Sequence, residues 1–339
     1  MKQLINILLI GCFLLFQLPT QAQNAFNRTL SFANPQWQEP ALLGINQQPI
    51  IGLSYRQNIN QTGIGLSAYE LGFSMPIQKN YNSEANNSGF ALSSSNLENT
   101  LKESKASRRK HGIGLNLRSQ RFDNYQRSEV QLGYAYHLPV SKSLNLSFGA
   151  NFVYAMTTIG QNSLTVRDPA NDALYQQILE DQGAFANEIF GNVGISIYTE
   201  NFQFSSHLRR ALLYSEGNIG QNEGEVPAFL PFFRTSYLLR LNTEWHLIPQ
   251  VSYAMNGTFE DTMAGSIRLN YNNFLSAGVG IQNNEQLSAL IGVKLSRDIF
   301  VQYAFDSYNN FGRRLANGVH ELNISYLIQN KRATLPILW

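Results

Sequence analysis

The stretch "LNLSFGANFVYAM", residues 144–156, alternates between two kinds of side chain. One face of an extended chain would carry the apolar residues Leu144, Leu146, Phe148, Ala150, Phe152, Tyr154 and Met156. The other face would carry the mostly small or polar residues Asn145, Ser147, Gly149, Asn151, Val153 and Ala155. A repeat of two residues is that of a β-strand, whereas a helix repeats every 3.6 residues. The stretch is therefore predicted to be a strand with one apolar face.

The same alternation recurs along the whole chain. The runs cover residues 49–59, 62–78, 111–119, 127–138, 142–157, 187–199, 201–208, 230–240, 243–256, 261–271, 274–281, 286–295, 298–306 and 318–328. Their lengths suit the roughly 9–11 tilted residues with which a strand crosses a bilayer. The pattern predicts an all-β fold, an antiparallel transmembrane outer-membrane β-barrel of about 14 strands.

A soluble β-sandwich would also alternate, and the composition discriminates between the two folds. A soluble sheet needs charged residues on its solvated face, but only 14% of this chain is charged. The polar faces hold mainly Gly, Ser, Asn and Gln, and the apolar faces end in aromatic residues such as Tyr154 and Trp245. Aromatic residues form girdles at the two membrane interfaces, so the barrel is favoured.

The first 22 residues have the features of an export signal. Lys2 supplies the charge, residues 4–18 form an apolar run, and small residues at Thr20 and Ala22 suit a signal peptidase. The sequence "LIGC" at 9–12 leaves a second interpretation, in which Cys12 carries a lipid. Cys12 is the only cysteine, so cleavage after Ala22 would leave no disulfide and no thiolate site.

Charge and motifs argue against several functions. A net charge of +2 without a basic stripe is not typical of a nucleic-acid-binding protein. The five histidines are scattered and form no metal-binding motif, and no nucleophile elbow or phosphate loop is present. No catalytic residue, cofactor or metal is therefore predicted. The acidic residues of 167–181 do not have EF-hand spacing, so a short surface helix is favoured there over a calcium site.

The connections between the strands indicate which end of the barrel is which. If the chain starts in the periplasm and the strand number is even, every second connection is periplasmic and should be short. Glu200 and Asn272-Asn273 fit this rule, while the long connections at 158–186, 209–229 and 307–317 fall outside the cell.

One periplasmic connection breaks the rule. Residues 79–110 form a long Asn/Ser-rich stretch that ends in Arg108, Arg109 and Lys110. It is predicted to be either a solvated loop or a docking site for a periplasmic partner.

The stretch "NPQWQEPALLG", residues 34–44, precedes the first strand. Pro35 and Pro40 fix φ and remove two backbone donors, while Trp37 supplies an apolar anchor. Residues 23–48 are therefore predicted to be an irregular segment tucked into the periplasmic mouth as a plug, followed by the barrel (49–328) and a tail (329–339). The candidate binding residues are Pro35, Trp37, Pro40, Arg108, Arg109, Lys110, Arg313 and Arg314.

Two motifs at the ends of the chain resemble a known family. Asn34-Pro35, Pro40-Ala41 and Gly44 are similar to the N-terminal signature of the PorP/SprF family of Bacteroidota outer-membrane proteins, with Glu39 in place of the usual Asn. "YAFD" at 303–306, followed by Gly318 and His320-Glu321-Leu322, resembles the ending of that family.

The resemblance implies a non-enzymatic outer-membrane component of the type IX secretion system. Its partners would be outer-membrane lipid, periplasmic secretion-system components and a secreted protein with a C-terminal domain, such as a gliding adhesin. The polar lumen by itself leaves an alternative open, a passive channel for small solutes or hydrophobic molecules.

Overall fold

The computed structural model describes most of the predicted barrel. The described residues are 28–46, 48–58, 65–77, 110–122, 124–141, 143–160, 176, 184–217, 230–256, 259–283, 286–308 and 318–328. The predicted signal peptide, the tail and nearly all of 79–110 and 167–181 lie outside the described residues.

The fold is a closed antiparallel β-barrel. Its strands are β1 (Ile50–Asn58), β2 (Leu66–Ile77), β3 (Lys110–Phe122), β4 (Tyr125–Pro139), β5 (Asn145–Ile159), β6 (Ala184–Tyr198), β7 (Phe202–Gly217), β8 (Leu230–Tyr237), β9 (Leu239–Arg240), β10 (Trp245–Asn256), β11 (Phe259–Tyr271), β12 (Leu275–Gln282), β13 (Gln286–Lys294), β14 (Ile299–Tyr308) and β15 (Val319–Leu327). The pairing of β1 with β15 closes the sheet. Because β8 and β9 both pair with β10, they act as one strand. The predicted outer-membrane barrel of about 14 strands is confirmed.

The alternation in the sequence corresponds to the two faces of this sheet. Phe152 is 48% exposed on the outer face, while the neighbouring Asn151 is 6% exposed on the lumen face. Leu53 and Ser54 repeat this relationship on β1, at 48% and 2%. The apolar side chains therefore point outward and the polar ones inward, as a lipid-embedded barrel requires. Among the described residues, no helix is long and apolar enough to cross a membrane.

The lengths of the connections assign the two ends of the barrel. One end carries the short connections 140–144, 199–201, 241–244, 272–274 and 295–298. The opposite end carries the three long connections 160–183, 218–229 and 309–318, together with the shorter 59–65, 123–124, 257–258 and 283–285. Short turns are periplasmic in such barrels and long loops are extracellular. The start of β1 and the end of β15 therefore lie at the periplasmic end. The long exception, which joins β2 to β3, also belongs to that end.

Pro249 marks an irregularity in the barrel wall. The sequence predicts a bulge or a barrel rim at this residue, because proline cannot donate a ladder hydrogen bond. Toward β11 the pairing stays in register, with Pro249 opposite Ile267. Toward β8 and β9 the ladder is interrupted at Leu238, whose N–H donates to the Asn201 carbonyl at 2.7 Å. The missing donor thus coincides with a break in the adjacent strand.

Candidate functional site

The N-terminal segment, residues 28–46, lies inside the barrel. It forms three short 3₁₀ helices, Thr29–Phe32, Pro35–Trp37 and Pro40–Leu42. Pro35 and Pro40 begin the second and third of these, where a fixed φ suits the turn and the absent N–H is not needed. Gly44 has φ of +67°, a left-handed conformation that favours glycine. The prolines that prevent strand pairing therefore initiate compact turns.

The segment runs along the lumen toward the extracellular end. Near the periplasmic end, the Gly44 N–H donates to Ser74 Oγ at 3.0 Å. Farther along, Asn34 Nδ2 donates to Asn323 Oδ1 at 3.1 Å. Thr29 Oγ1 donates to Asp306 Oδ1 at 2.5 Å, and Asp306 pairs with the first residue of β15. The segment therefore extends beyond the periplasmic mouth, where the sequence places it, into the extracellular half of the lumen.

Trp37 lies against a glycine surface on β1 and β2. The indole is 3% exposed and covers Gly52 and Gly72. A Cβ at Gly72 would lie 2.2 Å from the ring, and a Cβ at Gly52 would lie 2.6 Å from it. Only glycine leaves room for this contact, which is a close approach of the kind that strand glycines permit. Leu43 covers Gly114 and Gly133 in the same manner.

Side chains of the wall hold the backbone of the segment through its carbonyl groups. Lys110 Nζ donates to the Ile45 carbonyl at 2.6 Å, His137 Nε2 to Leu43 at 2.7 Å, Ser147 Oγ to Ala41 at 2.8 Å and Gln131 Nε2 to Trp37 at 3.1 Å. These bonds satisfy carbonyl groups that a buried irregular segment would otherwise leave unpaired. The wall therefore recognises the main chain as well as the side chains.

Arg28 joins the upper part of the segment to three strands. Its guanidinium contacts Glu70 on β2, donates to Glu321 on β15 at 2.9 Å and donates to Ser54 on β1 at 2.7 Å. Burial lowers the pKa of Arg28, but the two carboxylates outweigh that effect and raise it overall. Removing one member of such a buried group leaves an uncompensated charge, which is strongly destabilising.

Glu39 makes a second buried ion pair on the opposite wall. Its Oε1 lies 2.5 Å from Arg234 Nη1 on β8, and its carboxylate also contacts Ser205 on β7. Glu39 is 1% exposed and Arg234 is 5% exposed. Burial raises the pKa of the Glu39 carboxyl, while Arg234 and Ser205 act in the opposite direction. The acid that replaces the usual Asn of the N-terminal signature is therefore tied to the barrel wall.

A cavity of about 80 Å³ lies beside the segment in the extracellular half of the lumen. The segment borders it with Arg28, Thr29, Ser31 and Gln38, and the wall with residues of β8 and β10–β13. Nearer the periplasmic end, Arg268 on β11 packs on Phe32, with its guanidinium carbon 3.7 Å from the ring centre. Residues 28–46 therefore cover the wall around Arg268, but they leave the cavity beside the wall in the extracellular half.

The structure brings together part of the predicted binding set. Trp37 and Pro40 are buried in the lumen, and Pro35 is half-buried beside them. Lys110 is buried at the start of β3 and contacts the end of the segment. Four of the predicted residues lie outside the described residues, namely Arg108, Arg109, Arg313 and Arg314. A role in binding a partner stays a prediction for all eight.

No pattern in the sequence pairs the charged residues that hold the segment. Glu70, Arg234 and Glu321 lie at lumen positions of alternating strands, where an inward charge needs a partner. Alternation identifies such inward charges, but it cannot tell which residue of the irregular segment meets each one. Among the described residues, no group of three or more His, Cys, Asp or Glu side chains is close enough to hold a metal ion.

Known proteins resemble this chain in fold and in family. No curated protein matches the sequence. Among solved structures, the chain is similar to the monoaromatic hydrocarbon channel CymD, with a TM-score of 0.49, 10% identity and coverage of 92% of this chain and 95% of that chain. It is also similar to a Pseudomonas aeruginosa FadL homologue, with a TM-score of 0.47, 9% identity and coverage of 85% and 92%.

A family model matches residues 20–326, which is nearly the whole chain, and its description is type IX secretion system membrane protein PorP/SprF. The match includes the N-terminal segment, the lumen charges and the strands that carry them. Family membership implies partners among the components of that secretion system. The chain therefore belongs to the PorP/SprF family of type IX secretion system membrane proteins.

Proposed function

We propose that this protein is a non-enzymatic outer-membrane anchor of the type IX secretion system. It couples the periplasmic machinery to the export or surface attachment of a cognate secreted protein, such as a gliding adhesin. The proposal rests on the occupied lumen: the barrel wall holds residues 28–46 through ion pairs and hydrogen bonds on opposite sides. A barrel occupied in this way is suited to binding rather than to free passage of solute.

The energetics of the lumen support a segment that stays in place. Withdrawing it would separate Arg28 from Glu70 and Glu321 and Glu39 from Arg234, leaving charges without partners in a confined lumen. It would also expose Trp37, which is 3% exposed in the barrel. We therefore assign the segment the role of a resident plug.

The two ends of the barrel supply different binding surfaces in this proposal. At the periplasmic end, the connection that ends with Arg108, Arg109 and Lys110 would meet the machinery. Lys110 links it directly to the segment, since its side chain donates to the Ile45 carbonyl. At the extracellular end, the secreted protein would meet the loop with Arg313 and Arg314 and the cavity in the extracellular half of the lumen. We also propose that a signal peptide directs export of the chain and that the barrel is inserted in outer-membrane lipid.

A passive channel is the alternative function, and the cavity of about 80 Å³ is the observation that favours it. A channel needs a continuous path, whereas the residues that line this cavity belong to the extracellular half of the strands. Conductance in planar bilayers separates the two functions. The anchor should show no stable open level, and a variant without residues 28–46 should show a large one.

Deletion of the gene tests the main proposal. We expect the mutant to lose surface display or secretion of at least one protein with a type IX C-terminal domain, and to regain it with the wild-type gene. Unchanged display and secretion of every such protein would refute the proposal, whatever the conductance of the barrel.

A further inference from the structure

The cavity in the extracellular half of the lumen is lined by both polar and apolar groups. Its wall presents amides and hydroxyl groups from β10–β13, including Gln250, Thr262, Ser266 and Gln286. Phe232 contributes one aromatic ring at the side of the cavity. Such a surface suits a ligand that both donates and accepts hydrogen bonds.

The residues around this cavity retain unused hydrogen-bonding capacity. Gln286 is 2% exposed, and its Oε1 accepts no hydrogen bond among the described residues, although its Nε2 donates to Thr29 at 3.4 Å. Arg234 Nε likewise has no hydrogen-bond partner in the described part of the chain. Buried polar groups are nearly always satisfied and both residues line the cavity, so a ligand that brings a donor and an acceptor suits this site.

The charge of the residues that line the cavity restricts the charge that a ligand can carry. Of the described residues that line the cavity, Arg28 and Arg234 are cationic and none is acidic. A lysine or arginine of a ligand would find no counter-ion here, whereas a neutral or acidic stretch would be accepted.

The lumen already contains an example of how its wall binds a peptide. Gly52, Gly72, Gly114 and Gly133 face the lumen, and each is covered by Trp37 or Leu43 of the segment. Gly280 also lies on a lumen wall, but the atoms nearest to a Cβ placed there belong to Gly265, Ser266 and Ser288 of the neighbouring strands. Glycine in a strand permits close approach of another backbone, and at Gly280 the segment does not provide one.

We infer that this cavity is the binding site for an extended peptide of a secreted protein, which enters from the extracellular end and lies beside residues 28–31. The bound stretch lacks lysine and arginine, and its backbone meets Gly280 and the amides of β10–β13. The inference rests on the proposed function for the identity of the partner. It adds the position of the site and the chemistry that the site selects.

The test compares two phenylalanine substitutions at neighbouring residues of β12 in cells with an active secretion system. Gly280→Phe fills the cavity, whereas Val279→Phe places the same ring on the outer face, where Val279 is 62% exposed. Photo-reactive benzoylphenylalanine at Ser266 reports the occupant of the cavity in intact cells. Mass spectrometry of the adduct identifies the peptide joined to it.

We expect a peptide of a secreted protein, free of lysine and arginine around the joined residue. Gly280→Phe should reduce its yield by about tenfold or more, while Val279→Phe should leave it unchanged. Adducts confined to this chain, to a glycan or to lipid would overturn the inference, as would equal yields in the two variants. If Gly280→Phe does not give a heat-modifiable barrel, Gly280→Val takes its place, with Val279→Ala as the control.

The experiment on the cavity and the gene deletion can fail independently of each other. If deletion of the gene blocks secretion but the cavity variants bind the cargo normally, only this inference fails. If deletion leaves secretion intact, the proposed function itself fails.

Discussion

Glu39 and Arg234 form an ion pair of 2.5 Å that joins the N-terminal segment to β8, a strand almost 200 positions later in the chain. Arg234 Nη2 also donates to Ser31 Oγ at 3.1 Å, so a single arginine contacts the segment at two points. The guanidinium carbon lies 5.2 Å from the centre of the Phe232 ring. This arrangement makes Arg234 a principal link between the wall and the segment, and its removal is the most direct perturbation of that link.

Arg234→Met should loosen the segment. The substitution leaves the Glu39 carboxylate buried without its cation, which typically costs about 3–5 kcal/mol. We expect a lower thermal midpoint in detergent and conductance bursts in planar bilayers. The double variant Arg234→Met with Glu39→Gln should recover much of the loss, because the carboxylate charge is then absent. If the double variant does not recover the thermal midpoint, the Glu39–Arg234 ion pair is not the cause of the loss.

Arg28→Met tests the pair of carboxylates on the other wall. Glu70 and Glu321 would both lose their cation, so a loss of about 3–5 kcal/mol is again expected. The matched control is Arg240→Met, because Arg240 pairs with Glu200 at 3.6 Å and the two side chains are 42% and 44% exposed. An exposed pair contributes only about 0–1 kcal/mol. Equal thermal shifts in the two variants would contradict the structural assignment.

Trp37→Ala should expose the glycine surface on β1 and β2. Truncating a buried aromatic residue costs about 3–5 kcal/mol in typical cores, so both the thermal midpoint and the protection of the segment from protease should fall. Trp245→Ala is the control of equal size, since Trp245 is 36% exposed on the outer face. A larger effect at Trp245 than at Trp37 would refute the proposed role of the segment.

Gly72→Val should reproduce the effect of losing Trp37 from the opposite side of the contact. A Cβ at this position would lie 2.2 Å from the indole, so the ring must leave. Adding Gly72→Val to Trp37→Ala should therefore cost little more, and the two changes should be strongly non-additive. Gly191→Ala serves as the control, because its Cβ would meet only the Asn151 carbonyl oxygen at 3.6 Å. Additive thermal shifts for Gly72→Val and Trp37→Ala would count against direct contact.

The sequence predicts the barrel well because the faces of a strand alternate strictly. Phe152 and Asn151 belong to opposite faces by parity alone, and their exposure follows that parity. Connection length is also visible in the sequence, and the sidedness inferred from it stays a prediction. Local periodicity, repeated along the chain, is sufficient for these features.

The contacts of the segment were not predictable in the same way. Trp37 meets Gly52 and Gly72 only because β1 and β2 pair in one particular register. Glu39 meets Arg234 only after the sheet has curved and closed, which brings distant strands around one segment. An irregular segment has no period that fixes its orientation, so the sequence predicts its presence but not its partners.

Lys110→Met examines the link between the periplasmic connection and the segment. Lys110 is 4% exposed, and its Nζ donates to the Ile45 carbonyl at 2.6 Å, directly after the connection that ends at this residue. Without the amine, the Ile45 carbonyl loses its hydrogen bond, and a buried group left without a partner costs about 1–3 kcal/mol. A cysteine placed at Asn46 should then react faster with a maleimide added from the periplasmic side. Lys294→Met is the control, because it removes a lumen ammonium that packs on Phe300 rather than on the segment. If both variants react at the wild-type rate, Lys110 does not hold the segment, and a pull on the periplasmic connection would not be transmitted to the lumen through this bond.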